Sequence, residues 1–178
     1  YSRAILGRSS PVVGLMSIGG EDSKGNEITK EAFGLLSKSG LNFRGNVEGH
    51  DLFRGETDVV VCDGFVGNVV LKTSESVASA IGHWMKQEFK RNPVRMLGSL
   101  LLIGALKAMK KRMDPEMYGG APLLGVNGVC IITHGASSSM AIYHAIRVAA
   151  EAVEQQLNKT IVVELAKERL QLTGQAEK

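Results

Sequence analysis

Three short glycine-rich segments of this 178-residue sequence carry the residue types that bind anions. Each follows an apolar run and precedes a helical pattern: residues 19–26 after 12–18, residues 63–68 after 58–62, and residues 134–139 after 129–133. Glycine allows a backbone N–H to approach an anion closely, and the N-terminus of the following helix offers further N–H groups. None of the three segments has a nucleotide-binding fingerprint, so the pattern favours a small oxyanion such as phosphate.

The polar side chains of these segments are the candidate site residues. His134 ends an apolar run and precedes a glycine, a position that directs a side chain into a cleft, and Lys24 brings positive charge to the first turn. We predict His134, Lys24 and Asn68 as catalytic residues. The predicted phosphate-binding residues are Gly25, Asn26, Asp63, Gly64, Gly67, Lys72, Gly135 and Ser137. Two alternatives remain open, because Asp63 is equally suited to capping the following helix and Lys72 to lying on the surface.

The remaining histidines and the cysteines give weaker signals. His50 follows Gly49 in a loop and is interpreted as a solvated surface histidine. The two cysteines, Cys62 and Cys130, lie inside apolar runs, which predicts small buried residues in a reducing cytosol. No cysteine–histidine spacing resembles a metal site, so we predict no metal.

Basic charge is concentrated in one segment. Residues 86–112 contain eight basic residues and one acid, a net charge of +7, whereas the rest of the chain has thirteen basic and seventeen acidic residues. The cations flank an apolar stretch at 96–106, a pattern typical of a helix on an anionic membrane or against an acidic partner. Packing within an oligomer is the alternative, and the two are compatible. With Phe89 as the one aromatic residue in the segment, nucleic acid is not expected. The predicted partner or membrane residues are Lys86, Lys90, Arg91, Arg95, Leu101, Lys107, Lys110 and Lys111.

The alternation of apolar runs with helical patterns predicts an α/β fold. Continuous β-branched runs indicate a mostly parallel sheet with helices on both faces, a three-layer arrangement to which residues 41–47 add a strand. We predict one domain over residues 1–178, with a protruding basic, apolar helical hairpin at about 86–117. The chain begins at Tyr1 within an apparent helix end, so we expect it to be the C-terminal portion of a longer enzyme.

Four stretches, in order along the chain, resemble the signatures of the bacterial phosphate acyltransferases of phospholipid synthesis (PlsX type). They are residues 13–19 with 24–27, residues 42–49, the sequence DVVVCDGFVGNVVLKT at 58–73, and residues 118–125 with His134 and Gly135. The third stretch is the most specific. The resemblance covers nearly the whole chain and corresponds to the C-terminal half of the family's sequence.

The resemblance implies a reaction in which acyl-ACP (acyl carrier protein) and inorganic phosphate give acyl phosphate and free ACP. It also implies a cytoplasmic homodimer, similar in fold to phosphotransacetylases and isocitrate dehydrogenases, with phosphate as co-substrate and no cofactor. His134 would then donate a hydrogen bond to the oxyanion or a proton to the leaving thiolate. A place at the inner face of the membrane, beside a downstream membrane acyltransferase, fits the basic segment. The alternatives are a phosphotransacetylase-like enzyme that uses acyl-CoA and a non-catalytic membrane-associated scaffold.

Overall fold

The computed structural model describes residues 1–113, 119–135 and 137–176. Strands and helices alternate in its first half, and helices dominate the second. In chain order the elements are β1 (Val13–Met16), α1 (Glu27–Leu36), β2 (Phe43–Val47), a 3-10 turn (Asp51–Phe53), β3 (Val59–Val61), α2 (Gly64–Lys90), α3 (Pro93–Leu101), α4 (Ile103–Arg112), β4 (Ala121–Pro122), β5 (Ile131–Ile132), α5 (Ser139–Glu154) and α6 (Leu157–Ala176).

A three-stranded parallel sheet forms the first core. Its order is β2-β1-β3, so β1 lies in the centre and pairs in parallel with both neighbours. Val13 and Leu15 of β1 and Val47 of β2 are buried. Helix α1 packs against β1 and β2, where the rings of Phe33 and Phe43 meet edge to face with centroids 5.3 Å apart. The predicted α/β class, with parallel strands from residues 12–18, 41–47 and 58–62, is confirmed.

The fourth predicted strand does not join this sheet. Residues 129–133 contain β5, which pairs antiparallel with β4 in a separate two-stranded ribbon. The ribbon continues with a hydrogen bond from the Leu123 N–H to the Cys130 carbonyl (2.8 Å). The connection over residues 123–130 is long enough for an antiparallel return but shorter than a parallel crossover requires. The expectation that residues 129–133 would supply a further strand of the mostly parallel sheet was therefore wrong.

Helices α5 and α6 form a second core. The buried face of α5 consists of small or β-branched residues at helical spacing, and Leu157 at the start of α6 is buried as well: Ala141, Ala145, Val148, Ala152 and Leu157. The N-terminal segment links this helical pair to the sheet. Arg3 forms an ion pair with Glu164 of α6 (3.4 Å), and Arg8 forms one with Asp58 before β3 (3.2 Å).

The basic segment folds as the end of α2 followed by two short helices. The Asn92 side chain accepts a hydrogen bond from the Arg95 N–H (2.8 Å), and Pro93 occupies the first turn, so α3 starts a new helix beside α2. Leu102 separates α3 from α4. The predicted hairpin extends to residue 117, and residues 114–118 lie outside the described part of the chain.

Across the described residues, no helix combines the length and the apolar character needed to cross a membrane. Cys62 and Cys130 are exposed free thiols, so the prediction that they are buried was wrong. The reason is that both strands are short: Cys62 lies just after β3 and Cys130 just before β5, so neither belongs to a strand.

The close approach of β1 and β2 at Gly14 gives a stability prediction. A Cβ at Gly14 would lie 2.5 Å from Val47 Cγ1, and Val47 is only 1% exposed and unable to move aside. We expect Gly14→Ala to lower the free energy of unfolding by about 1 to 3 kcal/mol, measured by chemical denaturation.

The matched control is Gly34→Ala in α1, where a Cβ would meet nothing within 4 Å. Alanine favours a helix over glycine, so this variant should gain about 0.5 to 1 kcal/mol. Equal effects of the two substitutions would contradict the steric account of Gly14.

Candidate functional site

The turn between β1 and α1 holds Lys24 at the carboxyl end of β1. The Asn26 side chain caps α1 by accepting a hydrogen bond from the Thr29 N–H (2.9 Å). Gly25 has a φ of +108°, and a Cβ there would lie 2.1 Å from Thr29 Oγ1, so the turn requires glycine. The stem of Lys24 lies over buried Gly19, since a Cβ at Gly19 would come within 3.0 Å of Lys24 Cγ. The side chain of Lys24 is exposed beside the start of α1.

The end of β2 is tied directly to this turn. The Asn46 Nδ2 group donates a hydrogen bond to the Glu21 carbonyl (2.8 Å), and the Ser17 N–H donates one to the Val47 carbonyl (2.9 Å). Ser17 Oγ and Asn46 Oδ1 are buried and find no hydrogen-bond partner within the described residues. A buried polar atom without a partner costs free energy, so the region around these two atoms favours a polar ligand. Neither Ser17 nor Asn46 is among the site residues predicted from the sequence, although an amide within a short strand is a usable signal.

The turn between β3 and α2 is organised by Asp63. Its carboxylate accepts hydrogen bonds from the N–H groups of Phe65 (2.8 Å) and Val66 (3.2 Å). Asp63 thus caps α2, which is the alternative that the sequence left open. Gly64 begins α2, and a Cβ at Gly67 would lie 3.1 Å from Cys62 Sγ, so this glycine permits the close approach of the strand end.

Asn68 and Lys72 lie progressively farther along α2. Asn68 is in the second turn of the helix. Lys72 lies about 12 Å along the axis from Gly64 and pairs with Glu75 (Nζ–Oε2 3.0 Å) on an exposed surface. Lys72 therefore lies away from the turn to which the sequence assigned it, whereas Asn68 remains near it.

The third predicted turn follows the two-stranded ribbon rather than the parallel sheet. His134 and Gly135 follow β5, and the Ser137 N–H donates a hydrogen bond to the His134 carbonyl (3.0 Å). Ser138 then caps α5 by accepting from the Ala141 N–H (3.2 Å). Because β5 is not part of the parallel sheet, the structure brings the first two turns to one edge of one sheet and places the third at the end of the ribbon.

A polar cluster that the sequence analysis did not select follows β2 at the same edge of the sheet. Asp51 lies at its centre, accepting a hydrogen bond from the Glu48 N–H (2.9 Å) while its own N–H donates to the Glu48 carbonyl (3.0 Å). His50 Nε2 lies 3.3 Å and Arg54 Nη1 3.4 Å from Asp51 Oδ1. The hydrogen bond from the Glu48 backbone lowers the pKa of Asp51 below its ordinary value, and the positive charges of His50 and Arg54 act in the same direction.

The basic segment presents cations and apolar side chains together. Glu88 forms ion pairs with Arg91 (3.1 Å) and Arg95. Lysines 86, 90, 107 and 111 are exposed, and the side chain of Lys110 is outside the described part. Val94 and Leu101 are 80% and 84% exposed. This surface has the charge and the apolar area expected of a contact with an anionic partner.

Metal ligands are not grouped in the described part of the chain, where no set of three or more histidine, cysteine, aspartate or glutamate side chains is placed to hold an ion.

Comparison with known sequences identifies the family of this chain. The sequence profile of the family described as "Fatty acid synthesis protein" matches residues 1–160. A "Phosphate acyltransferase" of Pelotomaculum thermopropionicum is 52% identical over 161 residues, which is 90% of this chain and 47% of that protein. A protein of the same name from Campylobacter concisus is 52% identical over 166 residues, which is 93% of this chain and 50% of that protein. Another from Aquifex aeolicus is 50% identical over 165 residues, which is 93% of this chain and 49% of that protein.

The chain thus spans about half the length of the curated relatives it matches. The family profile covers both turns at the edge of the parallel sheet, the cluster after β2, the basic segment and the third turn. The chain belongs to the fatty acid synthesis protein family.

Proposed function

We propose that this chain forms the phosphate-binding part of an enzyme that transfers an acyl group from a thioester to inorganic phosphate. The observation that carries the proposal is the edge of the parallel sheet, where Lys24 and the first turn of α1 lie beside the start of α2. The identity of about 50% to proteins named phosphate acyltransferase supports the same reaction. The product is an acyl phosphate, a precursor for phospholipid synthesis.

Phosphate binds at the β1–α1 turn in this proposal. Gly25 allows the positive-φ turn that leads into α1, where backbone N–H groups and the positive end of the helix dipole favour negative charge. Lys24 supplies a full positive charge, and the buried Ser17 and Asn46 side chains complete the polar layer beneath the turn. Asp63 contributes through the shape of the α2 turn, because its carboxylate is occupied by the Phe65 and Val66 N–H groups and would repel an anion.

The chemistry asks little of the protein beyond positioning and electrostatics. Phosphate is itself the nucleophile, so the protein need not supply a serine or cysteine. It holds the phosphate oxygen in line with the thioester carbonyl and stabilises the oxyanion that forms. Asn68 orients the phosphate from the second turn of α2, and His134 donates a hydrogen bond to the oxyanion. Gly135 and Ser137 contribute to binding the phosphate beside His134 in this proposal.

The acyl donor is proposed to be acyl-ACP rather than acyl-CoA. ACP is acidic, and the surface around Lys107 and Lys111 combines positive charge with exposed leucines. A protein-bound long acyl chain needs such a surface more than a small soluble thioester does. The same surface would allow peripheral contact with the anionic inner face of the membrane and delivery of the product to a membrane acyltransferase.

The assembly is proposed to be a cytoplasmic homodimer of a larger phosphotransacetylase-like fold, to which this chain contributes one α/β domain with helices on both faces of the sheet. Helix α2 supports this proposal, since Val77, Ile81 and Trp84 are 51%, 46% and 60% exposed along one stretch of it. Apolar side chains at helical spacing favour burial against another protein surface. No cofactor is proposed besides phosphate as co-substrate.

The reaction itself is tested by phosphate-dependent release of ACP thiol from palmitoyl-ACP, using the full-length protein. We expect thiol release to require phosphate and to yield hydroxylamine-reactive acyl phosphate. Palmitoyl-CoA serves as the control donor, and we expect it to react more slowly. No phosphate-dependent release from either thioester would overturn the proposal and favour the scaffold alternative.

The role of Lys24 is tested by Lys24→Met. Loss of one charge-assisted contact should raise the KM for phosphate about tenfold to a hundredfold, without a matching loss of stability because the side chain is exposed. The control is Lys38→Met, an exposed lysine beyond the other end of α1. An unchanged KM for phosphate in Lys24→Met would remove Lys24 from the site.

The basic surface is tested by charge reversal at Lys107, Lys110 and Lys111. We expect the triple glutamate variant to bind ACP or anionic vesicles at least tenfold more weakly at low salt, with the difference shrinking at high salt. Reversal at Lys30, Lys38 and Lys159 changes the net charge equally at exposed sites elsewhere and is the matched control. If both triple variants bind like the parent, the segment serves only in packing.

A further inference from the structure

The polar cluster after β2 has the geometry of a histidine held ready for proton transfer. His50 Nε2 lies 3.3 Å from Asp51 Oδ1, and His50 Nδ1 lies 4.0 Å from Glu48 Oε2. The Asp51 carboxylate at Nε2 orients the imidazole, whereas Nδ1 is too far from Glu48 Oε2 for a hydrogen bond and is available for exchange of a proton. The His50 side chain is 53% exposed and is therefore accessible to a substrate.

Asp51 is fixed in place by the backbone. Its carboxylate accepts from the Glu48 N–H, its N–H donates to the Glu48 carbonyl, and Arg54 pairs with the same carboxylate. The Asp51 side chain is only 14% exposed. The carboxylate that contacts His50 is thus held by two other interactions and its backbone by a third, so the orientation of the ring does not depend on a mobile partner.

The cluster lies beside the proposed phosphate site. Strand β2 is the parallel neighbour of β1, and such strands are about 4.8 Å apart. The Asn46 side chain bonds to the Glu21 carbonyl in the Lys24 turn, and Asn46 precedes Glu48 by two residues. His50 therefore follows the strand that is hydrogen-bonded to the phosphate-binding turn, whereas His134 follows a strand of the separate ribbon.

We infer that His50 is a catalytic acid that protonates the sulfur leaving the thioester, with Asp51 as its positioning residue. A hydrogenphosphate oxygen attacks the carbonyl carbon, the new C–O bond forms, and the C–S bond breaks. The His50 Nδ1 proton passes to the leaving sulfur as it gains the electron pair. The proton of the attacking hydrogenphosphate is released to solvent, and His50 regains a proton there. The inference rests on the proposed function, and it leaves the oxyanion contact to His134.

The test compares His50→Gln and Asp51→Asn with the parent in the full-length protein, assayed with palmitoyl-ACP at saturating phosphate. A general acid contributes about a hundredfold or more to a rate, so we expect His50→Gln to lower kcat about a hundredfold with little change in the KM for phosphate. In the parent, kcat should fall as the pH rises through the range of about 5 to 8 in which histidine loses its proton. His50→Gln should lack this dependence.

Asp51→Asn separates positioning from a merely structural role. Asparagine removes the carboxylate that orients the ring at Nε2, so we expect kcat to fall about tenfold or more with little change in the KM for phosphate. Imidazole added to His50→Ala should restore part of the lost rate, because the exposed position leaves room for it. The matched control is His83→Gln, an exposed histidine on α2, which should behave like the parent.

Each failure has a distinct reading. An active parent with His50→Gln at parental kcat and an unchanged pH profile would overturn the inference and leave the proposed function intact. Loss of the pH dependence in His134→Gln instead would assign the proton to His134 and overturn it equally. A parent without phosphate-dependent thiol release would overturn the proposed function itself. Thermal unfolding of each variant verifies that a lower kcat does not come from misfolding.

Discussion

The parallel pairing of β1 with both β2 and β3 is the constraint on which the rest of the structure depends. Parallel neighbours end at the same edge of a sheet, so the segments that leave them must begin there together. The Lys24 turn, the Asp51 cluster and the Asp63 turn all arise in this way. The pairing in turn requires Gly14, because a side chain on the central strand would collide with Val47.

The polar residues that cap α1 and α2 also fix the shape of the turns before these helices. Asn26 and Asp63 each use a side-chain oxygen to hold the first turn of a helix, which fixes where the remaining N–H groups point. These caps are structural contacts, and in the proposed function they hold the backbone of the turns in place for an anion. The Asn46 amide extends this principle by joining β2 to the Lys24 turn. A site built from fixed backbone groups suits a reaction in which the substrate itself brings the nucleophile.

The second half of the chain has a core of smaller side chains. The buried residues of α5 are mostly alanines, which allow close helix packing but bury little apolar area each. Large apolar side chains remain outside, among them Trp84 on α2 and Leu101 on α3. Covering these side chains would remove apolar area from water, so this part of the chain offers a surface for contacts. This division agrees with a chain that spans about half the length of its relatives.

The sequence by itself determined the α/β class, the three strands of the parallel sheet, the glycine-containing turns that follow two of them, and the family. Each of these depends on local patterns: runs of β-branched residues, a glycine with a capping side chain, and contiguous motifs. The tertiary structure alone decided which turns share an edge. It placed the strand before His134 in an antiparallel ribbon with Ala121 and Pro122, and it exposed Cys62 and Cys130. It also tied the Asn46 amide to the Glu21 carbonyl, which joins the end of β2 to the Lys24 turn. Strand partners and contacts between distant residues depend on how long connections close in space, and a linear pattern carries no record of that closure.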